Sequence, residues 1–191
     1  MTYGAIALGR VVGHLKSRAG YERIASEVGS SGTPSGLPAA FAAIDWAKDW
    51  KGGDPERGKA LFRSQAGVSC LVCHRFRGEG GQNGPSLEEA DKRLTVAYVV
   101  ESVLKPNAQV APQYRPWTFA LKSGEVLNGA LLEQGAEALT IGLNDGTTRR
   151  IAPGDVEERQ PSSSSIMPEG LVAKPEDLRD LLAYLLTPAR R

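Results

Sequence analysis

The stretch SCLVCHRFRGEGGQNGP, residues 69–85, holds both cysteines of the chain and one of its two histidines. The thiols stand three positions apart and the imidazole follows them directly. How this cluster is used therefore decides what the rest of the chain must be. Three chemistries employ such a group: a redox dithiol, a corner of a metal site and a covalent haem anchor. Each places a different demand on the flanking sequence.

A structural zinc ion needs four ligands, commonly from a second Cys/His pair. Beyond the cluster this chain offers only His14, with no third cysteine, and nothing marks which carboxylates would complete a site. A thioredoxin-like dithiol opens a helix at the end of a strand, whereas a helical pattern precedes Cys70 and no βαβ pattern surrounds it. Two buried cysteines beside a surface histidine by coincidence is the uneventful alternative. The reading that the sequence favours is Cys-x-x-Cys-His as the attachment signature of c-type haem. Two thiols one helical turn apart add to the two haem vinyl groups, and the next residue projects its imidazole onto the iron.

That reading names further residues. An imidazole bound to metal through one ring nitrogen needs its other N–H anchored, commonly by a backbone carbonyl, and Pro85 in NGPSL is the candidate anchor. Met and His are the usual side chains for the sixth iron position. The candidates are Met1, His14 and Met167. Met1 and His14 lie in the outlying N-terminal segment, whereas Met167 sits in a Ser/Pro loop before Pro168. Methionine is more often a core gap-filler, but core methionines favour helices and strands, so Met167 is the expected axial ligand. Leu71, Val72, Phe62, Val99, Leu104 and Leu185 are candidates for an apolar wall.

The bulk properties agree with a soluble globular chain: 41% hydrophobic, 24% charged and a formal net charge of +1. That balance gives no reason to expect nucleic acid or an anionic membrane as partner. Two cysteines cannot build a disulfide scaffold. No run approaches the ~20 apolar residues of a membrane-spanning helix, and the start, MTYGAIALGRVVGHLK, lacks the basic n-region of a signal peptide.

Along the chain, Ala5, Leu8, Val12, Leu15 and Ala19 fall on one helical face within residues 1–28. The Gly/Ser/Pro stretch 29–38 reads as a flexible connection, followed by a short segment with Phe41, Ile44, Trp46 and Trp50. Asp54 caps a helix with Pro55 in its first turn. Within it, Gly58 lies one turn before Phe62, which suggests close approach by another element. A second helix is expected over TVAYVVESVLK, ending before Pro106. The period then changes, and residues 117–160 read as about five short strands, with Asn-Asp-Gly as a hairpin turn. A Met-bearing loop leads to an amphipathic helix, KPEDLRDLLAYLL, with Leu178, Leu181, Leu182 and Leu185 as its stripe.

With Cys70, Cys73, His74, Gly84-Pro85 and Met167-Pro168 in place, the chain resembles class I cytochromes c. In that family the terminal helices cross at a glycine and aromatic contact, and Gly58, Phe62 and Tyr184 match it. Residues 54–187 resemble more closely the haem-binding domain at the C-termini of large exported proteins of planctomycetes and verrucomicrobia. The matching stretches are GDPERGKALF, CLVCHRFRGEGGQNGPSL, SVLKPNAQVAPQY, SSSSIMPEGL and EDLRDLLAYLL. The resemblance implies a mainly α cytochrome c fold, helices packed round a covalent haem. A small antiparallel β-barrel or sheet at about 117–160 would be inserted before the axial Met loop. It implies a domain over 54–191, with 1–53 a helical segment and linker left from a preceding domain. It also implies a periplasmic or otherwise exported location, with the signal peptide upstream of this chain.

The expected function is electron transfer. One haem c with His74 and Met167 as axial ligands would cycle between Fe(III) and Fe(II), accepting electrons from a redox partner protein or a fused dehydrogenase domain. The alternative is a haem enzyme, peroxidase-like or small-ligand binding, with an open or displaceable sixth position. The β segment would cover one haem face or dock a partner.

Overall fold

The computed structural model describes residues 34–64, 69–111 and 114–188. The helices expected within residues 1–28, together with Met1 and His14, lie outside them. From Leu37 the chain makes two single helical turns, α1 (Ala39–Ala42) and α2 (Trp46–Asp49). The Trp46 indole N–H donates to the Phe41 carbonyl at 2.8 Å, and both rings join the helical core.

Helix α3 (Pro55–Arg63) starts as its sequence dictates. Asp54 Oδ1 accepts from the backbone N–H of Glu56 at 2.9 Å and of Arg57 at 3.3 Å, which satisfies donors that the first turn leaves unpaired. α4 (Cys70–Cys73) is a single turn, as is α5 (Ala90–Arg93). α6 (Val96–Leu104) is capped by the Thr95 hydroxyl, which accepts from Tyr98 N–H at 3.2 Å. The last helix, α7 (Pro175–Leu186), buries Leu178, Leu181, Leu182 and Leu185, the stripe read from the sequence.

α3 packs chiefly on α7. A Cβ on Gly58 would stand 2.0 Å from the Asp180 carbonyl oxygen, so only glycine lets the helices approach this closely. Asp180, buried on α7, accepts from Asp54 N–H at 2.7 Å and pairs with Arg57 at 2.8 Å. Phe62, Phe76 and Tyr184 form a ring cluster with centroids 5.2 to 5.7 Å apart.

Five antiparallel strands follow: β1 (Trp117–Leu121), β2 (Val126–Gln134), β3 (Leu139–Leu143), β4 (Thr148–Ile151) and β5 (Val156–Pro161). Their order is β4-β3-β2-β1-β5. Asn144-Asp145-Gly146 makes the β3–β4 turn, with Leu143 N–H donating to the Thr147 carbonyl at 2.8 Å. Period-two burial puts Phe119, Leu121, Leu127, Leu139, Ile141 and Ile151 into a second core, separate from that of the helices. The sheet closes on its own entrance: Trp117 pairs with Pro161, and Ser162 N–H donates to the Pro116 carbonyl at 2.8 Å.

The expectation of a mainly α cytochrome c fold is overturned. The protein is mixed α/β, and its five-stranded antiparallel sheet is a structural half rather than a minor insertion. Among the described residues only α3, α6 and α7 exceed one turn, at nine, nine and twelve residues. The three helices expected within the described residues all form, and every strand-like run between residues 117 and 161 found a partner. Neither a barrel nor an α bundle results.

Candidate functional site

The turn of α4 sets Cys70 and Cys73 at i and i+3, on one side of the chain. His74 leaves the turn with extended backbone (φ −105°, ψ 136°), and its N–H donates to the Cys70 carbonyl at 2.9 Å. The glycine-rich loop then doubles back over this turn. Gly81 N–H donates to the Leu71 carbonyl at 2.9 Å, and Gly84 N–H donates to the Cys73 carbonyl at 2.8 Å. Gly84 lies flat against the imidazole: a Cβ there would sit 2.8 Å from His74 Cε1.

One residue on, the Pro85 carbonyl lies 2.7 Å from His74 Nδ1. A carbonyl only accepts, so Nδ1 is the protonated nitrogen and the neutral ring keeps its lone pair on Nε2. Burial lowers the His74 pKa, and the Pro85 hydrogen bond opposes that shift in part. The ring is thereby held neutral, in one tautomer and one orientation. That is the state in which imidazole ligates a metal.

The two thiols are free cysteines. Burial pushes the Cys70 thiol up to about 12. Cys73 is also raised, first by burial and then by the nearby Asp145 carboxylate. Thiols held protonated are poor nucleophiles, which is the reverse of the lowered values of dithiol oxidoreductases. Among the described residues no three His, Cys, Asp or Glu side chains gather as a metal-ion cluster. The zinc and dithiol alternatives thus gain no support from the geometry.

Met167 lies in the loop between β5 and α7, partly buried, its N–H donating to the Ser165 hydroxyl at 3.1 Å. This loop is pinned by a residue that the sequence did not single out. Asn107, just after α6, accepts from Ser165 N–H at 2.7 Å and donates to Glu169 at 2.8 Å. One amide side chain thus grips the backbone two residues before Met167 and the side chain two residues after it. An asparagine following a proline at a helix end was the only local hint of this.

Cys70, Cys73, His74, Pro85 and Met167 all line one cavity of about 410 Å³, within the size range of cofactor pockets. Its walls are largely apolar and include Phe62, Val72, Val99 and Leu185 from the expected set. Leu71 and Leu104 pack in the helical core instead. Among the described residues that line the cavity, Asp145 carries the only formal charge. Asn144 and Asp145 belong to the β3–β4 turn, so the sheet supplies part of the wall.

Asn83 was also missed by the sequence reading, which singled out Gly84 and Pro85 from this loop. It is buried, and its side-chain amide donates to the Leu143 carbonyl at 2.9 Å and the Thr147 carbonyl at 3.2 Å. Among the described residues no helix is long and apolar enough to cross a membrane. No protein-family model matches this chain, and no curated protein matches it either.

Proposed function

We propose that the cavity holds one c-type haem and that the protein is an electron-transfer domain of the c-type kind. The observation that carries this reading is the meeting of four groups in a single apolar cavity. These are two protonated thiols, an imidazole whose Nδ1 is already committed to the Pro85 carbonyl, and the thioether of Met167. Residues from both sides of the sheet in sequence contribute to it, which chance clustering of two cysteines does not account for.

Cys70 and Cys73 would hold the haem covalently, each through a thioether. His74 Nε2 and Met167 Sδ would be the side-chain atoms that hold the haem iron. When bound, the haem iron supplies a one-electron Fe(III)/Fe(II) couple. The surrounding residues tune that couple. Phe62, Val99 and Leu185 exclude water, which disfavours the more highly charged ferric centre. Met167 donates weakly and favours the ferrous state, and Pro85 fixes the basicity of His74. With His74 and Met167 both holding the iron, the domain would pass electrons. Its donor is a redox partner protein or a fused dehydrogenase domain, and its place is the periplasm or another exported compartment, where covalent haem attachment takes place in the systems this motif resembles.

The test is expression of the full chain in a host that attaches haem covalently. A pyridine-haemochrome spectrum that survives denaturation and extraction is expected, and Cys70→Ala with Cys73→Ala should release the haem. The oxidised protein should show the near-infrared sulfur-to-iron band, and Met167→Ala should abolish that band and lower the potential. Extraction of all haem from the unmodified chain would refute the reading. An unchanged spectrum in Met167→Ala would refute the assignment of Met167 as iron ligand, and absence of the band from the unmodified chain would favour an open sixth position.

A further inference from the structure

The sheet meets the cluster at the β3–β4 turn, and the contact is a built joint. Its core side is Asn83, among the few polar side chains buried in the described residues. Both amide hydrogens are used: one goes to the Leu143 carbonyl at the end of β3, the other to the Thr147 carbonyl where β4 begins. Backbone carbonyls on either side of one tight turn present a pair of acceptors at fixed spacing, which a side-chain amide matches with its two donors. The β3 backbone comes close at Gly142, where a Cβ would stand 2.7 Å from Asn83 Oδ1.

The turn makes a second contact. Gly146, at φ +86°, lies against Val72, the residue between Leu71 and Cys73; a Cβ on Gly146 would stand 2.1 Å from Val72 Cγ1. The turn itself is kept in shape by Asp145, which accepts from Thr147 N–H at 2.9 Å and from its hydroxyl at 2.6 Å. A rigid turn therefore bears on both the Cys-x-x-Cys segment and the loop that follows it.

Asn83 immediately precedes Gly84, which covers the His74 ring, and Pro85, whose carbonyl holds Nδ1. A glycine-rich loop has a large conformational entropy to lose, and the sheet supplies an external fixed point for it. We propose that Asn83 is a positioning residue, through which the antiparallel sheet holds the Asn83-Gly84-Pro85 segment and with it the orientation and tautomer of His74. The sheet is then a working part of the histidine site, beyond covering one side of the cavity. This deepens the haem reading and rests on it for what His74 binds, while the hold on the ring is made by the chain's own residues.

The two readings are tested separately. In the full chain without haem, nitrogen NMR at a pH where the ring is neutral reports the His74 Nδ1 proton and its exchange with solvent. Asn83→Ala, and Asn83→Asp, which keeps the shape but removes both donors, should each speed that exchange at least tenfold while the amides of Phe119 and Ile141 stay protected. In the haem-loaded chain the same variants should raise the potential, because an imidazole with a loosened Nδ1–H bond donates less to iron. Unchanged His74 exchange in both variants would overturn the proposal and leave Asn83 a fastener of the sheet alone. Should neither variant fold, the unmodified chain decides. In mild denaturant His74 Nδ1–H should open in the same event as the turn amides of Leu143 and Gly146, and independent opening would overturn the proposal. Loss of covalent haem would refute the haem reading without altering any of these haem-free results.

Discussion

The helical half and the sheet half are assembled in opposite ways. The helical core is gathered from segments spread between Leu37 and Leu186, and several of its members, Phe62, Val99, Leu178 and Leu185, face the cavity as well. The sheet is contiguous from Trp117 to Pro161, pairs each strand with an antiparallel neighbour, and fills its core with Phe119 and Ile141 at 0% exposure. One half spends long-range contacts on enclosing a space, and the other completes itself locally. Contacts that close long loops form late and are lost first, whereas hairpins close short ones. The helical half should therefore depend on the sheet more than the sheet depends on it.

The harshest way to break this comparison is Gly58→Val. The side chain would drive into the Asp180 carbonyl, and backbone on backbone offers no rotamer escape. A loss of more than about 4 kcal/mol is expected, seen as collapse of helical circular dichroism. The decisive measurement is amide exchange at Phe119 and Ile141, where protection should persist. If the sheet amides open with the helices, the two halves are one cooperative unit. Phe119→Ala probes the other side. Removing a fully buried ring should cost about 3–5 kcal/mol in chemical denaturation followed by strand amides. The α3–α7 contact should stay protected, and equal loss there would erase the asymmetry. The smallest effect is expected at Arg149, which pairs with Glu125 at 2.5 and 2.8 Å on the exposed face of the sheet. Arg149→Ala should change the midpoint by less than about 1 kcal/mol, and the difference should shrink further in high salt. A larger change would show that side-chain pairs, and not the core, hold the sheet.

What the sequence made legible follows the range of each interaction. The Asp54 cap, the Asn-Asp-Gly turn and the Pro85 anchor beside His74 act over a dozen residues or fewer, and their residue types state their purpose. Gly58 was readable because a glycine inside a helix demands a reason. The joint at Asn83 was not readable. Its partners are the carbonyls of Leu143 and Thr147, some sixty residues on, and a carbonyl carries no mark of residue type. Asn107 was hidden for the same reason. Apolar periodicity also stops short of the site, since it marks Leu71 and Leu104 as buried without saying whether they face a cavity or a core. The mainly α expectation failed because the five strands were counted as an insert, whereas they pair into a sheet with a core of its own. Each helical pattern was weighed on its own face, whereas the strands gained stability from one another.

The bond from Ser162 N–H to the Pro116 carbonyl gives the sheet a closed stem. The chain leaves the helical half and returns to it at nearly the same point, so the length between costs the helical half almost no closure entropy. In evolutionary terms this makes the sheet a replaceable cassette. A lineage could lengthen its strands, change its outer face or exchange its other loops without moving α6 or the methionine loop. The β3–β4 turn is the exception, since Asn83 reaches into it. Selection should therefore hold the turn still while the rest of the cassette drifts.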